Sequence, residues 1–345
     1  MSTTTTPTTD ERTTAAPPPT PWSSRIGVRG GDWGRWVRER GVYLALVVLV
    51  LVNVVATPNF LTLGTLQLYA VQTATVIIVS LGMALVIGTG GVDLSVGATM
   101  AVAAAVMARL FSPSDGGGSP LALAIVVALV AGTLVGVVNG LVVAVGRVQP
   151  IVATLAMLVG GRGLALVFTG GALVEMFHPF FTTVRTAQVL TIPAIFWLAI
   201  LLAVVLAVVV RRTAFGFRVL AIGGNLPASR LAGVPVRRTL VGVYAVSGFL
   251  AAVAGLIVTM RLRAADPSYV GLNIELTAIT AVVVGGSLLT GGKVRVLGTV
   301  AGAVLIQLLE NTLTAQNVTD SIARIIEALI IIAAVFIQRP SRSAR

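Results

Sequence analysis

Apolar runs recur along the chain from position 42 onward, parted by short polar or glycine-rich gaps. Ten of them are predicted as membrane-crossing helices: 42–56, 66–87, 95–111, 121–145, 151–168, 192–210, 239–260, 276–288, 296–309 and 321–338. A helix perpendicular to a bilayer needs about 20 apolar residues. Several of these runs are shorter, so tilt, local thinning or broken helices must make up the difference. The stretches around Gly88–Gly91 and Gly285–Gly292 interrupt the pattern most strongly. Residues 1–33 are rich in Thr, Pro and Ser and show no apolar periodicity. They are expected to form a disordered tail, and they lack the short apolar core of a signal peptide. The pattern therefore predicts an all-α integral membrane protein: a polytopic bundle of about ten transmembrane helices over 34–338, ending in a basic 339–345 tail.

One long basic interruption stands out. Residues 211–238 read RRTAFGFRVLAIGGNLPASRLAGVPVRR and hold Arg211, Arg212, Arg218, Arg230, Arg237 and Arg238. With the amino terminus placed in the cytoplasm, this segment, Arg35, Arg38, Arg40, Arg147, Lys293, Arg295 and the last arginines all fall inside. Only Arg109, Arg185, Arg261 and Arg263 fall outside. That is the positive-inside bias, and an even number of spans puts both termini in the cytoplasm.

Composition supports lipid as the solvent. The 345 residues are 56% hydrophobic and 10% charged, with mean hydropathy +0.99, where a soluble domain carries about a quarter charged residues. The net charge of +12 lies in the gaps between apolar runs, so it reads as cytoplasmic loops facing anionic lipid and not as a nucleic-acid surface. There are no cysteines, which excludes disulfides and thiolate sites. No His/Cys/Asp group has metal spacing, and the single histidine, His178, reads as a solvated loop side chain.

The chemistry-bearing residues sit at the breaks. The first runs from Gly88 through Gly90, Gly91, Asp93 and Ser95 to Gly97. Irregular backbone at membrane depth survives only where protein or water satisfies it, and a carboxylate there is a functional suspect. Asp93 has two readings: an N-cap for the following helix, or a role in coupling or substrate passage. The second break contains Gly285, Gly286, Gly291 and Gly292. It imitates a phosphate loop without being one, since Ser287 and Val294 stand where a Walker A motif needs Gly and Ser or Thr. The stretch Thr89-Gly90-Gly91 with Gly97 five residues later matches Thr290-Gly291-Gly292 with Gly298, as duplicated halves of a transporter would. Arg162 lies within a predicted span and needs a partner or a watery cavity. Glu310, Asn311, Arg324 and Glu327 form a polar set, the last two sharing a helix face; it reads as a structural ion pair or, alternatively, as a contact for a polar solute. Glu175, Arg263, Asp266 and Glu275 fall in outer loops, where they could dock a soluble carrier; singly they read as solvated charge.

Four segments then carry a family resemblance. GGVDLSVGATMAVAAAV, QPIVATLAMLVGGRGLALVFTGG at 149–171, AIGGNLPASRLAGV at 221–234 and AVVVGGSLLTGGKVRVLGTVAGAVLI at 281–306 resemble, in order, signatures of the inner-membrane permease subunits of sugar-importing ABC transporters of the ribose, xylose and galactose type. The resemblance implies a bacterial inner-membrane protein with no catalysis of its own and no bound cofactor, ATP and Mg being used by a partner. The implied partners are two cytoplasmic ATPase subunits, an extracytoplasmic sugar-binding protein that supplies most selectivity, and a second permease, identical or sister. The implied coupling segment includes Gly223, Gly224, Asn225, Ala228, Ser229, Arg230, Leu231 and Gly233. Such segments often read Glu-Ala-Ala, three residues, Gly. Here Pro227-Ala228-Ser229 and Gly233 occupy that frame, so the glutamate and one alanine are replaced. As a short amphipathic helix it would set Leu226 and Leu231 in an ATPase groove, with Arg230 at the rim. A neutral sugar needs hydrogen-bonding groups along its path, for which the candidates are Gln72, Asn139, Thr154, Gln307 and Asn311. The rivals are a branched amino acid or nucleoside as cargo, an ion-coupled secondary transporter using Asp93 or Glu327, and a membrane enzyme.

Overall fold

A computed structural model describes residues 31–111 and 118–319, with residue 2 and part of 321–332. Most of the predicted amino-terminal tail and of the tenth predicted span, the 339–345 tail, Arg324 and Glu327 lie outside the described residues; the part of that tail that is described, 31–33, is corrected from disordered to the first turn of a helix.

The described chain is mostly helical. In order it forms α1 (Gly31–Ala56), α2 (Leu63–Gly88), α3 (Val96–Phe111), α4 (Leu121–Ala144), α5 (Pro150–Thr169), β1 (Val174–Glu175), α6 (Pro179–Thr186), β2 (Gln188–Val189), β3 (Ile192–Pro193), α7 (Ala194–Arg212), α8 (Ala214–Gly224), α9 (Leu226–Leu231), α10 (Val236–Leu262), β4 (Ala264–Ala265), α11 (Ile274–Val284) and α12 (Val296–Ala315). Six of these, α2, α4, α5, α7, α10 and α12, are long and apolar enough to cross a membrane. The helices α3 and α11 are apolar but shorter, at 16 and 11 residues. α11 stops at Val284, where the predicted run continued to 288, because Gly285 and Gly286 release the backbone from helical geometry. The run predicted at 296–309 continues to Ala315.

The bundle is built around α2 and α10. Every residue from Thr73 to Gly88 of α2 is buried, the mark of a helix enclosed on all sides. By contrast α4 shows Leu123, Val126, Val130 and Leu134 to the outside, and α7 shows Leu201, Val204, Val205 and Val208. Apolar faces that wide fit lipid, not water.

The opposite face of α4 is a stripe of small residues four apart: Ala124, Ala128, Gly132, Gly136, Gly140 and Ala144, all buried. It lies on α10, where a Cβ added at Gly136 would overlap the carbonyl oxygen of Tyr244. Without a hydrophobic force between helices in lipid, such close backbone approach supplies the packing energy. Gly136→Leu is accordingly expected to destabilise the bundle by on the order of 3 kcal/mol. Gly64→Leu, with nothing within 4 Å of its would-be Cβ, is expected to be neutral. Thermal unfolding of the two detergent-purified variants checks this.

Polar links tie distant spans. Asn53 of α1 donates to Thr312 Oγ1 of α12 at 2.7 Å and accepts from Thr57 Oγ1 at 2.9 Å. His178 is exposed but not idle: its Nδ1 accepts the amide of Phe180 at 3.1 Å and caps α6, and its ring meets Phe111 edge-on at 5.8 Å. β1 pairs antiparallel with β4, bringing together the segments that follow α5 and α10.

Candidate functional site

The two glycine breaks meet. The amide of Gly292 donates to the carbonyl of Gly88 at 3.0 Å, and the last turn of α8 lies against both. A Cβ on Gly223 would overlap the Gly88 carbonyl oxygen and the Gly292 nitrogen; one on Gly291 would stand 2.7 Å from Gly90 N and 2.9 Å from Gly223 Cα. Thr89–Gly91 and Thr290–Gly292, which match in sequence, are thus neighbours in space, and the predicted coupling segment is wedged beside them. Gly285 in turn packs on the backbone of Gly298, while Gly97 packs on Gly271. Gly286 turns the chain at φ +86°.

Asp93 anchors the first break. Its Oδ1 accepts from Ser95 N at 3.0 Å and Ser95 Oγ at 2.6 Å, and its Oδ2 accepts from Ser247 Oγ of α10 at 2.9 Å. The carboxylate therefore takes the amide just ahead of α3 rather than one in the helix's first turn, and it ties that turn to another span. Asn139 of α4 completes the cluster by donating to Ser95 Oγ at 2.7 Å. Thr154 donates to the carbonyls of Pro150 at 2.9 Å and Val92 at 3.3 Å. Asn139 and Thr154 thus brace the break.

The coupling segment is two helices and a turn. Thr213 caps α8 by accepting from Gly216 N at 3.3 Å. Asn225 caps α9 by accepting from Ala228 N at 2.9 Å. Gly233 at φ +74° ends α9, with Val234 N donating back to Ser229 O at 3.0 Å, a left-handed terminus that glycine suits. Ser229 faces inward and is buried, whereas Leu231 is 91% exposed. The expected pair of outward leucines is corrected by half: Leu226 is half-buried and lines a cavity of about 820 Å³ along with Thr89, Gly90, Gly91, Arg147, Arg230 and Tyr244. Gly224 has open space around it.

A second cavity, of about 370 Å³, lies at the other end of α10. Its lining includes Gln72, Thr75, Val258, Arg261, Tyr269, Gln307, Glu310 and Asn311. The order along α10 is thus Val236 and Tyr244 at the first cavity, Ser247 at Asp93, and Val258 and Arg261 at the second. Three of the five candidate path residues, Gln72, Gln307 and Asn311, share the second cavity, while Asn139 and Thr154 stand apart from it.

Arg162 finds the partners it was expected to need: Nη1 donates to the carbonyls of Pro267 at 2.7 Å and Val270 at 2.6 Å, pinning the turn between β4 and α11. Glu275, expected as solvated loop charge, is buried in the first turn of α11 beside Gly97, because that turn folds into the bundle. Asp266 accepts from Ser268 N, and Arg263 donates to Thr182 Oγ1, each at 2.8 Å. Sequence reading overlooked Thr75 and Ser247, whose hydroxyls sit in apolar runs; a Thr three residues from Gln72 was the available signal for the first. Among the described residues no group of three His, Cys, Asp or Glu side chains is arranged to hold a metal.

The fold is that of a multi-pass helical membrane protein. The chain belongs to the family described as branched-chain amino acid transport system / permease component, whose model matches residues 65–335. It is 38% identical over 306 residues to the ribose import permease protein of Haemophilus influenzae, covering 88% of this chain and 93% of that one. It is 34% identical to the galactofuranose transporter permease protein of Escherichia coli over 88% and 90% of the two chains. It is 35% identical to the fructose import permease protein of Bifidobacterium longum over 86% of each. No solved structure matches.

Proposed function

We propose that this chain is the membrane-spanning subunit of an ATP-binding-cassette importer that carries a neutral monosaccharide, a pentose or hexose, into the cytoplasm. It would lie in a bacterial inner membrane with about ten spans and both termini inside, paired with a second copy or a sister permease. A separate ATPase, using ATP and Mg, would act on α8 and α9. An extracytoplasmic sugar-binding protein would deliver cargo to the far side.

The observation that carries this reading is the seating of Gly223 against both breaks, next to an exposed Leu231 and Arg230 on α9. A partner that grips α9 would move α8, and α8 touches the backbone where two pairs of spans are joined. Small shifts at such a contact become rigid-body motion of packed helices, which alternating access requires. Sugar as cargo is supported by relatives whose names specify ribose, galactofuranose and fructose import. The family description favours a second cargo, a branched-chain amino acid. Ion coupling through Asp93 is disfavoured, because both its oxygens already accept protein donors.

The test of coupling is Arg230→Glu combined with Gly233→Leu. The expected outcome is loss of ATPase co-purification while the chain still inserts in the membrane. Undiminished recruitment and undiminished uptake would remove the assigned role from α9. The test of cargo is ligand binding by the partner receptor: tight leucine binding with no sugar binding would decide for the second cargo.

A further inference from the structure

We propose that the permease itself carries a sugar-reading subsite between α2 and α12, in the 370 Å³ cavity at the end of the bundle away from α9; this rests on the sugar-import reading above. Three buried polar atoms there have no hydrogen-bond partner among the described residues: Gln72 Oε1, Thr75 Oγ1 and Asn311 Nδ2. Buried polar groups are nearly always paired, and orphans that line one cavity point to a ligand that pairs them.

The three arise from helix faces that look at each other. Gln72 and Thr75 are three apart on α2, and Gln307, Glu310 and Asn311 are three and four apart on α12, so each set shares a face. Gln307 Nε2 donates to Glu310 Oε2 and Asn311 Oδ1, both at 3.2 Å. That fixes the Asn311 amide with its oxygen engaged and its nitrogen free to donate.

The chemistry selects the class of ligand. The orphans comprise an acceptor, a donor and a hydroxyl that is both. A sugar hydroxyl donates and accepts, so a polyol can satisfy all three, whereas the side chain of a branched aliphatic amino acid would leave them unpaired. Among the described residues the charged members of the lining are Arg261 and Glu310, one of each sign, which suits a neutral cargo. Tyr269 stands exposed at the rim, where its ring can cover the apolar face of a pyranose or furanose. The volume lies at the small end of the roughly 300–1,000 Å³ of ligand pockets, as a monosaccharide requires. Selectivity is then not left wholly to a binding protein: the permease examines its cargo as well.

The test is uptake of radiolabelled D-ribose, D-fructose and L-arabinose by cells of the native host carrying Thr75→Val, Thr75→Ser or Gln72→Met in the chromosomal copy, so that every partner is present. A strain lacking the chain sets the background. For whichever sugar the wild type takes up, Thr75→Val and Gln72→Met are expected to lower the saturated rate about tenfold at a normal membrane level of the chain, and Thr75→Ser, which keeps the hydroxyl, to restore it. Wild-type rates in Thr75→Val and Gln72→Met, or equal damage in Thr75→Ser and Thr75→Val, would overturn the subsite while leaving sugar import standing. If Thr75→Val lowers the membrane level, Gln72→Met decides on its own. A partner receptor that binds leucine and no sugar, with a wild type that takes up none of the three sugars above background, would instead defeat the import reading, and the subsite with it.

Discussion

Gly223→Ala is expected to reduce uptake to the background of a deletion strain, while Gly224→Ala leaves it at the wild-type rate. The two glycines are adjacent at the end of α8 and differ only in what surrounds them. An added methyl at Gly223 overlaps the Gly88 carbonyl oxygen and the Gly292 amide, whereas at Gly224 it meets nothing within 4 Å. Backbone atoms cannot rotate out of the way as side chains can, so the overlap must push α8 off the breaks, at a cost of about 1–3 kcal/mol. It also breaks the register of the Gly292-to-Gly88 hydrogen bond. The α4–α10 interface that holds the bundle lies elsewhere, so Gly223→Ala is expected to reach the membrane in wild-type amount. A chain that is present, recruits the ATPase and yet does not transport is the signature of a severed lever. Transport at the wild-type rate would show that α8 does not work through this contact.

The parts of this architecture that could be read from the chain are those that local pattern determines. Apolar runs located most of the described spans to within a few residues, since a helix in lipid must be apolar whatever it packs on; the exceptions are α1, which starts at Gly31 well ahead of the run at 42–56, and α12, which outlasts its run to Ala315. The glycine breaks were visible because glycine is tolerated inside a span only for a reason. The ends of α9 were not read, although the signals were there: Asn225 before Pro227 is a cap pattern and Gly233 a stop. What was hidden depends on long-range contact. Nothing near Gly223 announces Gly88 or Gly292, and nothing near Asn53 announces Thr312, 259 residues away. The burial of Glu275 was invisible for the same reason, because it follows from Arg162 drawing the 267–271 carbonyls inward. Helix rotation separated the path candidates: Gln307 and Asn311 turn to one cavity, while Asn139 turns to Asp93. The α4 stripe is an intermediate case. Its period of four was in plain view from Ala124 to Ala144, but only the partner helix makes a row of small residues into an interface.

Asp93→Ala is expected to remove the folded chain from the membrane, and Asp93→Asn to keep both the fold and most of the uptake. In the alanine variant Ser95 N, Ser95 Oγ and Ser247 Oγ lose their acceptor at a fully enclosed point. Each buried donor left unpaired costs about 1–3 kcal/mol, so the sum is a large fraction of the roughly 5–15 kcal/mol by which folded proteins are stable. Asparagine is nearly the same size and keeps an oxygen for the two Ser95 donors, while its amide group can donate to Ser247, whose hydroxyl turns to accept. The comparison separates the two meanings the residue carries in sequence. If Asp93 is a brace, asparagine suffices, because hydrogen-bond geometry is all that is asked of it. If its charge takes part in coupling or in moving cargo, Asp93→Asn will accumulate normally and melt near the wild-type temperature in detergent, yet fail in uptake. The saturation of both oxygens favours the brace, and measuring Asp93→Asn for membrane level, melting temperature and uptake together decides the matter.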